Sequence, residues 1–360
     1  MKNKRLHELI FFVTSRCNSR CRHCFNWRNI GKVVDLDLIE IEKRAKRLPH
    51  FDNLLLSGGE PFLRKDLADL INIFVRNNKI KTVSIPTNGL LTASIIDILE
   101  KILLIPNINA VNINFSLDGL NDIHDNIRGI EGNFVITMES IKAVSALREK
   151  YPRLNILINT VISGENINSI LPLLEYLSQT NIRIDGHYFE IIRPFGPDSL
   201  GNLQFDFSFY RQILAKQYKI FKENIKKFFF IKMAISKILF LGRLSMVYRL
   251  QYNNYFFKKE WPVRCSAGKN IIVMNDRGEI SVCELRDKKF DLLEYEDFNS
   301  LITSKKYQEE LAKIVSDKCF CTHSCFLNAS IHNSVRMKFL AVAWHGFINF
   351  IYYEIISNNS

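Results

Sequence analysis

The sequence predicts an α/β protein whose first two hundred residues form a partial (β/α)6 barrel. A basic helical segment and a small cysteine-rich unit follow it. Three observations lead there. Six short apolar runs alternate with stretches of helical periodicity, the linkers are long enough for crossovers between parallel strands, and polar or glycine-rich loops sit just after the runs. Residues 9–13, Leu-Ile-Phe-Phe-Val, read as a buried strand ended by Thr14 and Ser15. Residues 36–48 set Leu38, Ile41, Ala45 and Leu48 at helical spacing, and Pro49 stops them. The pattern repeats with strands at 54–57, 81–86, 110–117, 155–163 and 185–193, and helices at 67–78, 94–104, 134–150 and 167–179. In a parallel barrel, ligands bind at the C-terminal ends of the strands. The loops after these strands should therefore meet at one rim.

Composition narrows the class further. At 360 residues, 47% hydrophobic and 24% charged, the chain can bury a large core, which excludes disorder and low complexity. The basic start Met1-Lys2-Asn3-Lys4-Arg5 precedes an apolar run too short for a signal-peptide core. A cytoplasmic, reducing setting is expected, where eight cysteines serve as metal ligands and not as disulfides.

Three of those cysteines, Cys17, Cys21 and Cys24, lie in the loop after the first strand. Thiolates are soft ligands suited to iron–sulfur clusters and zinc, and three on one loop leave one iron of a cubane cluster open. A redox CxxC or half a zinc site is the alternative. Gly58-Gly59-Glu60-Pro61 follows the second strand, Thr87-Asn88-Gly89 the third, and Ser116-Leu117-Asp118-Gly119 the fourth, with Asp125 and Arg128-Gly129 beyond. This set, in this order, resembles the radical S-adenosylmethionine (SAM) superfamily, most closely its branch with a C-terminal SPASM or Twitch extension. The resemblance covers residues 8–200 well and 261–327 in part.

The resemblance implies a 4Fe–4S cluster on Cys17, Cys21 and Cys24, with SAM at the open iron. It further implies that Gly58, Gly59, Glu60 and Pro61 hold the methionyl amine. Thr87, Asn88, Ser116, Asp118 and Asn159 would line the ribose and methionyl moiety, and Arg128 would pair with the SAM carboxylate. Asp118 and Arg128 could equally cross-link loops, and Asn159 could be an internally bonded asparagine. His23 reads as ring packing over the cofactor; Arg16, Arg20 and Arg22 suit an anionic cluster or a plain surface. An electron donor such as flavodoxin or ferredoxin is implied as a partner. Glu190 and Arg193 on the sixth strand are candidates for substrate contact or for a structural ion pair.

Further on, Cys265 and Cys283 bracket a β-hairpin turned at Asn275-Asp276-Arg277-Gly278, and Cys319, Cys321 and Cys325 follow. This looks like the start of a SPASM or Twitch domain. A full SPASM pattern has seven cysteines, so the five here imply one auxiliary 4Fe–4S cluster, with Cys321 and Cys325 as the preferred completing pair. A zinc site of four cysteines, or of three with His323, is the competing reading. The expected division is 1–204 barrel, 205–260 basic aromatic-rich helical linker, 261–327 Twitch-like unit and 328–360 apolar C-terminal helix.

The net charge of +12 is concentrated between 211 and 259, which hold twelve Lys or Arg against the single acid Glu223. Aromatic residues interleave with these cations, from Phe221 and Phe228 to Tyr248, Tyr252, Tyr255, Phe256 and Phe257. Mixed basic and aromatic faces suit an anionic partner: lipid headgroups, a lipid-linked phosphorylated substrate, or RNA. A solvated helix face is the plain alternative. The apolar tail 339–356 would dock on the barrel or lie at a membrane surface, so peripheral contact with an anionic membrane is a further expectation. Taken together, the sequence points to a radical SAM enzyme that abstracts a substrate hydrogen atom. The substrate would be a peptide or protein side chain, a sugar or a lipid-linked intermediate. The rival is a non-catalytic iron–sulfur redox sensor gripping RNA or another polyanion, and the loops after strands two to four are what separate the two.

Overall fold

Alternating hydrophobicity decides which face of each strand is hidden, and strand five shows it most clearly. In the computed structural model, which describes residues 5–32, 34–193, 203–224, 230–317, 321–337 and 339, Leu154, Ile156, Ile158, Thr160 and Ile162 are buried. Asn155, Leu157, Asn159 and Val161 between them are only half-buried. The elements run β1 (Glu8–Thr14), α1 (Leu38–Arg47), β2 (Asn53–Gly58), α2 (Leu67–Asn78), β3 (Thr82–Thr87), α3 (Thr92–Leu104) and β4 (Ala110–Ser116). Then come α4 (Asn121–Arg128), α5 (Asn133–Ala146), β5 (Leu154–Ile162), α6 (Ile170–Gln179) and β6 (Gly186–Ile191). Strands β1 to β6 pair in sequence order, all parallel. This is the open, six-stranded partial barrel that the alternation predicts. Val83, Ile85, Val111, Ile113, Phe115, Ile156 and Ile158 are fully buried on one face. Successive strand residues point to opposite faces, so Ser84, Asn112, Asn114, Asn155 and Asn159 line the other, inner one.

Helices α7 (Phe207–Asn224) and α8 (Phe230–Phe257) pack beside the β6 edge. The Tyr248 ring meets Phe189 edge-on at 6.4 Å, and the Gln217 side-chain amide donates to the His187 carbonyl. Tyr210 and Tyr248 are buried and stacked 4.7 Å apart, and Phe205 contacts Tyr252 at 5.7 Å and Phe256 at 5.1 Å. These aromatics are thus the core of the helix pair, whereas Phe257 is exposed, with the Lys259 ammonium 5.4 Å from the centre of its ring. Offset and edge-on ring pairs of this kind stabilise packing by about 0.5–1.5 kcal/mol each. Side chains 219–238, 240 and 241, with Phe221, Phe228, Lys226 and Lys227 among them, lie outside the described residues, as does the tail from 340. No helix among the described residues is long and apolar enough to cross a membrane.

The C-terminal unit comprises β7 (Ile271–Met274), β8 (Glu279–Ser281), β9 (Phe290–Asp291), α9 (Phe298–Thr303), α10 (Lys305–Ser316) and α11 (Ser324–Asn333). The hairpin forms where the Asn-Asp-Arg-Gly turn places it, with Gly278 at φ +79°. It does not build a small sheet of its own. Strand β7 pairs parallel with β1, Glu8 opposite Ile271 through Phe11 opposite Met274, so one sheet runs β6-β5-β4-β3-β2-β1-β7-β8-β9. Helix α11 is held to α8 by Arg243 donating to Asn328 (2.9 Å) and, just before its start, by Gln251 donating to the Thr322 carbonyl (2.8 Å).

Candidate active site

Every motif loop leaves the C-terminal end of a strand, and backbone hydrogen bonds then stitch the loops together. The cysteine loop after β1 is bound to the end of α4: Arg20 and Arg22 N–H groups donate to the Arg128 and Ile127 carbonyls at 3.2 and 2.9 Å, and the Ser19 hydroxyl donates to the Arg128 carbonyl at 2.8 Å. The loop after β2 lies against the start of the same cysteine loop, with Gly59 N–H donating to Thr14 O and Glu60 N–H to Arg16 O, both at 2.8 Å. A Cβ on Gly58 would stand 2.4 Å from Thr14 O, and one on Gly59 1.9 Å from Arg16 O. These glycines therefore serve a backbone-to-backbone approach, which no local reading of the motif reveals. Pro61 begins a short 3-10 turn, Pro61–Leu63, and is buried.

Glu60 is 2% exposed and uses both oxygens inside the protein, accepting from Phe62 N–H at 3.2 Å and Asn88 N–H at 2.8 Å. Burial pushes its carboxyl up to about 7. Asn88 in turn donates to the Asn18 side chain at 2.7 Å, and Thr87 accepts from Gly89 N–H at 3.1 Å. The β2, β3 and cysteine loops are thereby one hydrogen-bonded unit.

Asp118 and Arg128 find each other. The Arg128 guanidinium lies 2.7 Å from one Asp118 oxygen and donates to the Cys21 sulfur at 3.6 Å, while the other Asp118 oxygen accepts from Val161 N–H at 2.9 Å. Burial opposes ionisation of Asp118, but Arg128, His23 and His124 outweigh it and hold the carboxyl below its ordinary value. His23 is buried 3.7 Å from Asp118, and burial lowers its pKa to about 4, so it is neutral at pH 7. Ser116 and Asn159 are register partners across β4 and β5, both half-buried.

Cys17, Cys21 and Cys24 are half-buried on their loop. Burial raises the Cys17 thiol and carries Cys24 up to about 11, with further upward pressure from the neighbouring cysteines. Such thiols stay protonated until a metal displaces the proton. The donor set fits a thiolate-bound cluster: three soft sulfurs within mutual electrostatic reach, with a buried guanidinium beside one of them. Among the described residues no three thiol, imidazole or carboxylate groups sit close enough to hold a single metal ion.

The inner face of the sheet below these loops mixes polar side chains with Leu55, Leu157 and Val161. Asn112 donates to Ser84 at 3.0 Å, Asn155 donates to Asn112 at 2.9 Å, and Tyr188 is 37% exposed within the same layer system. Packed parallel barrels fill this space with branched apolar side chains. Here amides and hydroxyls line a space that water can enter.

The second cysteine group belongs to the C-terminal unit. Cys283 is buried, Cys265, Cys321 and Cys325 are half-buried, and Cys319 is outside the described residues. Burial raises the Cys283 thiol, and Cys321 and Cys265 add to the rise. These four thiols suit a cluster by the same donor chemistry. Arg193 forms an ion pair with Glu284 and lies 3.6 Å from Glu190, so of the two expectations for Glu190 and Arg193 the ion pair is present.

Residues 11–177 match the radical SAM superfamily. This chain carries a radical SAM domain. Enzymes of that family bind a 4Fe–4S cluster and SAM, and this chain is an enzyme of that kind. It is 24% identical over 334 residues to a GTP 3',8-cyclase of Desulforamulus reducens, covering 87% of this chain and 90% of that one. A GTP 3',8-cyclase of Limosilactobacillus fermentum is 28% identical over 189 residues, and there the match spans 54% of the relative. The antilisterial bacteriocin subtilosin biosynthesis protein AlbA of Bacillus subtilis is 31% identical over 140 residues, 38% of this chain and 30% of AlbA. Among solved structures, native anSMEcpe with bound AdoMet and a Cp18Cys peptide shares the fold over 99% of both chains, at TM-score 0.56 and 16% identity. Streptococcus suis SuiB bound to precursor peptide SuiA shares it over 86% of this chain and 67% of that one, at TM-score 0.54 and 14% identity.

Proposed function

We propose that Cys17, Cys21 and Cys24 hold the 4Fe–4S cluster, and that the chain acts on a polar substrate group placed in the barrel lumen. When bound there, a reduced cluster would supply the electron for reductive cleavage of SAM, the chemistry that starts hydrogen-atom abstraction from the substrate. The observation that carries the reading is the hydrogen-bonded unit joining Asn18, Asn88 and Glu60, with Arg128 bridging Asp118 to Cys21. A sensor needs no such joined rim, whereas a SAM pocket is made by it. Arg128 keeps a cation beside the cysteine loop, and Glu60 orders two loops through their N–H groups. Cys265, Cys283, Cys321 and Cys325 hold the auxiliary cluster in this proposal.

For the substrate, a peptide or protein side chain is the reading best supported. AlbA, anSMEcpe and SuiB are named for work on, or were solved with, peptides, and a lumen of uncharged amides complements peptide groups. A nucleotide triphosphate calls for several unengaged cations, and Arg193 already faces Glu284 and Glu190.

The test is anaerobic reconstitution with iron and sulfide, followed by reduction with dithionite in the presence of SAM. Wild type should form 5′-deoxyadenosine and Cys21→Ala should not; wild-type rates from Cys21→Ala would sink the reading. Added GTP should be recovered unchanged, and its consumption would overturn the substrate assignment.

A further inference from the structure

Between the two cysteine groups lies a set of buried charges that the reading above leaves without a role. Arg193, two residues past the end of β6, pairs through its guanidinium with Glu284 and, at 3.6 Å, with Glu190. Glu284 directly follows Cys283, and His323 approaches Glu284 at 2.7 Å. His323 itself stands between Cys321 and Cys325, and its other ring nitrogen accepts from Cys325 N–H at 3.3 Å. The neighbouring Ser324 hydroxyl donates to Glu190 at 2.6 Å. On its far side the Arg193 guanidinium lies 4.7 Å from the centre of the Phe25 ring, and Phe25 directly follows Cys24. One cation thus touches a residue adjacent to a cysteine of each group.

The side chains of Arg193, Glu284 and His323 are 14%, 6% and 5% exposed. Charges so placed are weakly screened by solvent. Glu284 is paired with the Arg193 guanidinium and faces the His323 ring at 2.7 Å. A buried ion pair contributes little net stability compared with apolar residues of like volume. Its place beside thiols points to an electrostatic role.

We infer that Arg193 is a positioning residue that sets the reduction potential of the auxiliary cluster and locks its cysteine segments against the loop carrying Cys24. This rests on the proposed cluster ligation by Cys265, Cys283, Cys321 and Cys325. On reduction the cluster gains one electron, so a fixed cation nearby favours the reduced form and a fixed anion opposes it. Arg193 and Glu284 must then act with opposite signs.

The experiment uses the full chain with Cys17, Cys21 and Cys24 all changed to Ala, reconstituted anaerobically, so that one cluster remains. Its reduction by dithionite is titrated at pH 8 and followed by electron paramagnetic resonance. Arg193→Met should disfavour reduction at least tenfold, a fall of 59 mV for one electron. Glu284→Gln should move the potential upward, and Arg193→Lys should stay near the parent. If Arg193→Met fails to load, the Glu284→Gln and Arg193→Lys pair still decides. Unmoved potentials, or shifts of the same sign in the Met and Gln variants, would overturn the inference while leaving the cluster in place. A parent chain that takes up no iron would instead overturn the ligation it rests on.

Discussion

Gly59→Ala tests whether the motif glycines serve the cysteine loop. The added methyl would sit 1.9 Å from Arg16 O and 3.2 Å from Cys17 N, both backbone atoms that no rotamer change can clear. Either the two loops separate or the cysteine loop shifts. Separation loses the hydrogen bonds from Gly59 N–H to Thr14 O and from Glu60 N–H to Arg16 O, about 1 kcal/mol each. Overpacking costs a further 1–3 kcal/mol, roughly. The sum is about 3–5 kcal/mol, concentrated where Cys17 is held. The control is Gly132→Ala, where φ is +75° but nothing lies within 4 Å of the new Cβ; it should cost only the left-handed strain, about 1–2 kcal/mol. Urea unfolding of the unloaded protein and iron content after reconstitution are the two readouts. Gly59→Ala should lose stability and iron, while Gly132→Ala should lose some stability and keep its iron. Full iron and an unmoved midpoint in Gly59→Ala would refute the close-approach reasoning.

Three further outcomes are expected. Asp118→Asn strands the buried Arg128 guanidinium, so unloaded protein should lose about 3–5 kcal/mol; a loss within 0.5 kcal/mol, roughly the size of a neutral surface change, would mean that the pair is not buried as described. Glu60 is held up near 7 by burial, above its usual 4.5, so the fold favours its neutral form. Its stabilising contribution is full below pH 4.5 and is lost as pH rises through about 7. The stability of wild type minus that of Glu60→Gln should therefore fall across that window, and a rise would reverse the assignment. Finally, Asn112→Leu with Asn155→Leu alters the lumen face alone and should cost little, whereas Ile113→Ala, on the buried face of the same strand, should cost about 2–5 kcal/mol; equal losses would show that the inner face is core.

Strand alternation made β3 and β5 legible because one face meets helices and the other the lumen. β1 was legible for the opposite reason: from Leu9 to Thr14 every residue is buried. The cysteine loop and the glycine motifs could be found because their chemistry is written in consecutive residues. What stayed hidden depends on partners far apart in the chain. Nothing near Ile271 announces that its strand will pair with β1. Arg193 and Glu284 are 91 residues apart, so the link between the cysteine groups is visible only in three dimensions. Helix α4 was missed for another reason. Asn121–Arg128 shows too short and too polar a pattern to stand out, although Gly129, in the left-handed region at φ +69°, ends it as a helix stop should.

Pairing of β1 with β7 also governs how the chain can be divided. In a barrel of this kind the first strand would be a border of the sheet, yet here Glu8–Phe11 are hydrogen-bonded on both sides, by β2 and by β7. A chain cut after residue 260 would bare that side of β1, an apolar run of Leu9, Ile10, Phe11, Phe12 and Val13. Long hydrophobic edges template pairing with other chains. The two halves therefore share one sheet, and the shorter piece is expected to form inclusion bodies more readily than the whole chain.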